Sequence, residues 1–187
     1  MGQVKSLAIT APFNEEIAGS LRAGQLVSIT GYLLLAYDLA LKRLVDCVES
    51  GEKLPCDLHN EVLYYVSPSE PRSGMILGSA APGFASRMDK YAPMLIYMGL
   101  KGMIGRGVRS GEVVRAIKAY KVPYLAALGG AGALIAKSIK SYKVIAWPDL
   151  GKNALARVQV VDFPAICAMD ILGNDFYTIG PASYSRT

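Results

Sequence analysis

Apolar and polar positions change period several times along this chain, and each change marks an element. Val4 to Thr10 reads as a strand, and a polar connection with room for one helical turn follows from Phe13 to Leu21. Gln25 to Thr30 alternates as a second strand, with Gly31 as its stop. From Ala36 to Glu49 the period becomes helical: Leu39, Leu41, Leu44, Val45 and Val48 share one broad face, and Ser50-Gly51 ends the run. After a loop, Leu54 to Asn60, Val62–Val66 is β-branched and aromatic and predicts a strand. Ser67 to Gly74 is turn-rich, and Met75-Ile76-Leu77 is expected to be a short strand. A helix is expected from about Ser86 to Gly99, kinked or restarted at Pro93.

Farther on, Gly102-Met103-Ile104 predicts a strand. Ser110 is placed to cap a helix reaching about Tyr120, with Glu112 in its first turn. Pro123–Leu128 reads as a buried strand, Gly129-Gly130 as a close turn, and an alanine-rich helix follows through Ile139. Strands are expected at Val144–Trp147, Val158–Val161 and Pro164–Met169, with a turn at Gly173-Asn174-Asp175 and a frayed or docked tail after Gly180. Strands dominate both ends and strand–helix alternation fills the middle, the pattern of a layered α/β domain with mixed sheets.

The 187 residues are enough for one domain, and 52% hydrophobic with 19% charged is globular rather than disordered. No window holds the roughly 18 uninterrupted apolar residues of a membrane span. MGQVKS lacks a secretory pattern and fits only the loose myristoylation one. The three cysteines, Cys47, Cys56 and Cys167, are scattered, which points to a reducing cytoplasm rather than a disulfide framework or a metal cluster. The net charge of +5 is concentrated between Lys101 and Lys121, including Arg106, Arg109 and Arg115. It reads as a solvated helix face or, alternatively, as a field that attracts small anions. No pattern of nucleic-acid recognition accompanies it.

The candidate chemistry lies between Gly78 and Gly107. Two strand-to-loop exits there each carry an arginine among small residues: Arg87 after Pro82-Gly83, and Arg106 between Gly105 and Gly107. Glycine admits a close ligand, and free N–H groups at a helix start favour an anion. Asp38 and Asp89 lie near helix starts, where capping or orienting Arg43 and Arg87 is their expected work. His59, the one histidine, reads as a solvated loop residue.

Six stretches, in order, carry a family resemblance: LRAGQLVSITGYLLLAYDLALKRL, LPCDLHNEVLYYVSP, GSAAPGFASRMDKYAPMLIYMGLKGMIGRG, YLAALGGAGALIAKSIK, AWPDLG and VVDFPAICAMDILGND. Over nearly its full length the chain resembles the β subunit, or C-terminal domain, of class I fumarases and L-tartrate dehydratases, iron–sulfur hydro-lyases. The resemblance implies a swivelling β/β/α fold spanning 1–187. It also implies a separate α subunit that holds a 4Fe–4S cluster, a small dicarboxylate substrate such as fumarate/malate or tartrate, and a hetero-oligomer or homodimer, with no metal held by this chain. Its substrate-binding arginine aligns with Arg87.

Other positions depart from that family's pattern. Tyr37 stands where an arginine is usual, Leu41 for a histidine, Gly83 for the threonine proposed to move a proton, and Arg106 for a lysine. The resulting expectation is that Arg87 and Arg106 bind carboxylate, that Ser86 or Tyr37 supplies acid–base chemistry, and that Gly83, Gly105, Gly107 and Asp38 line the substrate. The alternative is a non-catalytic paralogue that keeps the fold and the anion pocket.

Overall fold

The computed structural model describes residues 6–127 and 130–184. Strand β1 (Leu7–Ala11), helix α1 (Glu15–Ser20), β2 (Leu26–Ala36), α2 (Leu39–Ser50), β3 (Val62–Tyr65), α3 (Ala92–Tyr97) and β4 (Gly102–Gly105) come first. Helix α4 (Gly111–Tyr120), β5 (Tyr124–Ala126), α5 (Gly132–Ser138), β6 (Ile139–Ala146), β7 (Leu155–Met169) and α6 (Phe176–Tyr184) follow. The expected residues Val4-Lys5, Leu128-Gly129, the Met1-Gly2 motif and the tail from 185 lie outside the described residues.

The α/β class and the mixed sheet are as expected. Strands β1 to β5 pair in parallel, in chain order. The long β7 runs antiparallel to β5 on one side and to β2 on the other, so β2-β3-β4-β5-β7 closes on itself like a barrel. β1 and β6 are appended at the rims, on β2 and β7.

Closure explains why β3, β4 and β5 read as continuous apolar runs. They are buried on both faces, and successive side chains go to opposite faces. Leu33, Leu35, Val62, Tyr64 and Val66 pack inside with Ile104, Leu125, Val158 and Phe163. Leu34, Leu63, Tyr65, Met103 and Tyr124 face outward onto α2, α3 and α4 through Leu41, Leu44, Leu95, Val113 and Ile117.

Several boundaries differ from the sequence reading. Gly31 does not stop β2. At φ +127, with Ala11 O 2.0 Å from where a Cβ would sit, it lets β2 bend under β1 and continue to β3. The two late strands are one, β7, with Asp162 at φ 53 between the halves. Met75-Ile76-Leu77 forms no strand; Met75 and Ile76 are exposed, in a loop pinched at its neck by Ser69 N donating to Ser79 O at 2.9 Å. The alanine-rich helix ends at Ser138 because Ile139 onward joins the edge of β7. The expected helix 86–99 splits into a 3-10 turn, Ala85–Met88, and α3, restarted with Pro93 in its first turn. Residues 181–184, expected to be frayed or docked, continue α6.

Ser110 and Gly51 end their helices as read, Ser110 Oγ accepting from Val113 N at 3.4 Å and Gly51 closing α2 at φ 70; Asn14, not singled out in the sequence, caps α1, its Oδ1 accepting from Ile17 N at 2.8 Å.

Candidate functional site

Parallel strands deliver their carboxyl ends to one rim, where the connecting loops meet. β2 delivers Tyr37 and Asp38, β3 delivers Tyr65, and β4 delivers Arg106 and Gly107. The loop 81–85 is stitched across this rim. Gly83 N donates to Tyr65 O at 2.7 Å, Arg106 N to Gly83 O at 3.2 Å, and Ala85 N to Arg106 O at 2.9 Å, a parallel bridge between Phe84 and Arg106. The two candidate arginines are therefore held on adjacent backbones.

Their side chains meet on one ring. Arg106 Cζ stacks 3.8 Å from the Phe84 centroid, and Arg87 Cζ lies 6.0 Å from the same centroid. Arg106 Nε is shielded from solvent and has no protein acceptor, while Arg87 is exposed. A guanidinium face on an aromatic ring leaves its N–H edge free for a carboxylate. Phe84 was missed in the sequence; the signal available was an aromatic beside Gly83 in the loop that carries Arg87, and the structure leaves it 45% exposed.

A buried brace ties the arginine loops together. Asp89, two residues past Arg87, accepts from Arg109 Nε at 2.7 Å and from Ser110 N. The Arg109 side chain is fully buried, with Cζ 5.4 Å from the Tyr65 ring centroid and 4.8 Å from that of Tyr124. Burial opposes its charge, but the Tyr65, Asp89 and Tyr124 partners outweigh that and hold its pKa above the ordinary value. Asp89 thus neither caps its own turn nor orients Arg87. Arg109 and Lys101 leave the solvated basic face expected of them, Lys101 being buried against Glu15 Oε1 at 3.3 Å. Arg115, Lys118 and Lys121 remain exposed.

Other expected roles change as well. Asp38 makes no side-chain cap bond; its N–H donates to Met88 Sδ at 3.2 Å, at φ 37. Arg43 pairs with Asp149, at 3.0 and 2.6 Å, rather than with Asp38. The amides of Gly83 and Gly107 are not open to an anion. Gly83 donates to Tyr65 O, and Gly107 N donates to Tyr177 Oη at 2.9 Å, while Tyr124 Oη donates to Gly107 O at 3.0 Å. Gly105 lies buried in β4, where a Cβ would come within 3.0 Å of the Tyr65 ring. These glycines serve by lacking side chains. Leu41 is fully buried in the α2 core, away from the rim. Ser86 is exposed beside Arg87, and His59 is exposed in its loop.

Tyr37 and Gly83 touch. A Cβ on Gly83 would lie 2.2 Å from Tyr37 Cε2 and 2.9 Å from Cζ. On this rim, then, two of the departures from the family pattern are one contact.

Among the described residues no group of three or more His, Cys, Asp or Glu forms a metal donor set. Burial pushes the Cys56 thiol up to about 11 and Cys167 to about 12, which disfavours the thiolate a cluster needs. The described residues therefore do not fit an iron–sulfur cluster. A groove of about 590 Å³ between Asn14, Lys101, Tyr97 and Tyr120 opens at the opposite ends of β3, β4 and β5, away from the arginines. No helix among the described residues is long and apolar enough to cross a membrane.

The model of the Fumarase C-terminus family matches residues 2–180. "Fumarate hydratase class I, anaerobic" of Escherichia coli is 35% identical over 153 residues, 81% of this chain and 28% of that protein. "Fumarate hydratase 2" of Leishmania major is 35% identical over 157 residues, 83% of this chain and 28% of that protein. This chain therefore spans little more than a quarter of the length of these relatives. "Putative L(+)-tartrate dehydratase subunit beta" of Methanocaldococcus jannaschii is 31% identical over 163 residues and is matched over 84% of both chains. The chain belongs to the Fumarase C-terminus family, the β-type family of class I fumarases and tartrate dehydratases.

Proposed function

We propose that this chain, one swivelling domain over 1–187, is the β subunit of a cytoplasmic iron–sulfur hydro-lyase that reversibly hydrates a small dicarboxylate, fumarate/malate or tartrate. An α partner holds the 4Fe–4S cluster, whose open iron supplies Lewis acidity to the substrate; the chain alone is inactive. Arg106 and Arg87 grip one carboxylate, and Ser86 or Tyr37 exchanges the proton. The observation that carries this reading is the convergence of the two guanidinium groups on Phe84, with a shielded Arg106 N–H lacking an acceptor. The likeness to a protein named as a tartrate dehydratase subunit beta, matched over 84% of both chains, supports a two-chain enzyme.

The test is anaerobic co-expression with an α chain carrying three cluster cysteines, followed by an absorbance assay of fumarate. Activity in the complex and its loss in Arg87→Ala are expected, a fall of about 10- to 100-fold for a charge-assisted bond. Full activity in the mutant complex rules out the role given to Arg87.

A second reading, a non-catalytic paralogue, is favoured by Gly83 and the Tyr37 ring that fills its side-chain space. On that reading the wild-type complex is inert, and Tyr37→Arg with Gly83→Thr raises activity sharply.

A further inference from the structure

We propose that Tyr37 and Gly83 form one specificity-determining unit: the Tyr37 ring occupies the space of a side chain at 83 and turns a neutral hydroxyl toward the ligand held by Arg87 and Arg106. This rests on the reading of the rim as a carboxylate pocket.

The backbone does not call for glycine at 83, since its φ lies outside the positive region in which side chains are strained. What excludes a side chain is the ring: a Cβ there would stand 2.2 Å from Tyr37 Cε2 and 2.9 Å from both Cδ2 and Cζ. Neither backbone can retreat. Gly83 is pinned at both its N–H and its carbonyl, by Tyr65 and Arg106. Tyr37 is fixed by its carbonyl, which accepts from Ala40 N at 3.1 Å, and by the Asp38 amide on Met88. Only the ring can move, so the two positions exchange space as a pair.

The chemistry follows from what the ring carries. Tyr37 is half-buried, and among the described residues its hydroxyl has no protein partner. Of the other phenols near the rim, Tyr124 and Tyr177 are both committed to Gly107, and Tyr65 is fully buried beneath it. The pocket is thus positively charged on the Phe84 side, whereas on the β2 side Tyr37 offers a neutral hydroxyl with the exposed Asp38 carboxylate next to it in the chain. A phenol gives and takes one hydrogen bond but cannot neutralise a second anion. The geometry therefore suits a short acid whose polar group next to its bound carboxylate is a hydroxyl or a carbonyl.

The probes are L-malate and succinate, which differ by that hydroxyl, titrated by calorimetry into the full chain and its complex. Tyr37→Phe is expected to weaken L-malate about threefold to tenfold, the worth of one hydrogen bond, and to leave succinate within about twofold. Arg106→Ala is expected to weaken both. Loss of L-malate and succinate binding in equal measure, or of neither, in Tyr37→Phe overturns the proposal while the pocket stands. Unchanged binding of both acids in Arg106→Ala, or none by the wild-type protein, overturns the pocket and the proposal with it. Thermal melts test the contact without a ligand. Gly83→Ala should lower the melting temperature by several degrees in the wild-type background and by little in Tyr37→Ala. An equal drop in both backgrounds refutes the shared space.

Discussion

Removing Asp89 tests whether the arginine loops are braced from below. Its carboxylate is the only acid paired with Arg109 among the described residues, and it also accepts from Ser110 N at the start of α4. The Arg109 side chain is fully buried and Asp89 is 10% exposed, so Asp89→Ala strands a guanidinium in a site water barely reaches. Breaking one partner of a buried pair costs about 3–5 kcal/mol, against under 1 kcal/mol at a surface. Arg109 Nη2 and the Tyr65 hydroxyl already lack hydrogen-bond partners, so the acceptor left beside Arg109 is a neutral phenol, which cannot balance the charge. For a chain of this length each kcal/mol lowers the melting temperature by about 2–4 °C, so a drop of about 6–20 °C is expected.

The companion is the double variant Asp89→Leu with Arg109→Met, which removes both charges and keeps apolar volume beside the Tyr65 and Tyr124 rings. It should recover much of the loss, because a buried ion pair is worth little beyond its hydrophobic replacement. Urea titrations of the wild type, both singles and the double give the coupling directly. A loss below about 1 kcal/mol in Asp89→Ala, or a double equal to the sum of its singles, refutes the brace.

Tyr177→Phe removes the acceptor of the Gly107 amide; stability should fall by about 1 kcal/mol and hydrogen exchange at Gly107 should rise, which amide-exchange NMR reads. Gly31→Ala drives a Cβ to 2.0 Å from Ala11 O at a positive φ, and denaturant unfolding should show a loss of about 3 kcal/mol or more. Burial raises the pKa of Asp170, but the Asn174 side chain and the amides of Ala23, Asn174 and Leu172 outweigh it and hold it below the usual carboxylate value. Its contribution is therefore present above the unfolded-state pKa and lost as pH falls through the lower folded one. Asp170→Ala should cost about 1–3 kcal/mol at pH 7 and progressively less toward pH 3, followed by urea midpoints.

Helices α2, α4 and α5 and the ends at Ser110 and Gly51 were legible because they are local, each cap acting within one turn of itself; α6 and the Asn14 cap were not read. Apart from Met75–Leu77, which forms no strand, the strands were legible as existing elements but not in their extents. Gly31 looked like a stop because its reason to be glycine is Ala11, twenty positions away in the sequence and adjacent only after β1 pairs with β2. Ring closure by β7 was hidden for the same reason, since antiparallel pairing to both β2 and β5 leaves no local sign.

At the site, the two arginines stood out by their setting among small residues. Phe84, the Asp89–Arg109 pair and the phenols of Tyr124 and Tyr177 did not. Their roles come from partners brought to one rim by parallel strands. Arg109 in particular resembles any other charge in a basic stretch until its burial is known.

The central claim is that Arg87 and Arg106 hold the same carboxylate. A double-mutant cycle on the L-malate dissociation constant, with Arg87→Ala and Arg106→Ala singly and together, tests it most directly. Each single change should weaken binding about 10- to 100-fold, and the pair should lose clearly less than the product of the two. Strictly multiplicative losses, or a single variant that binds as well as the wild type, contradict it.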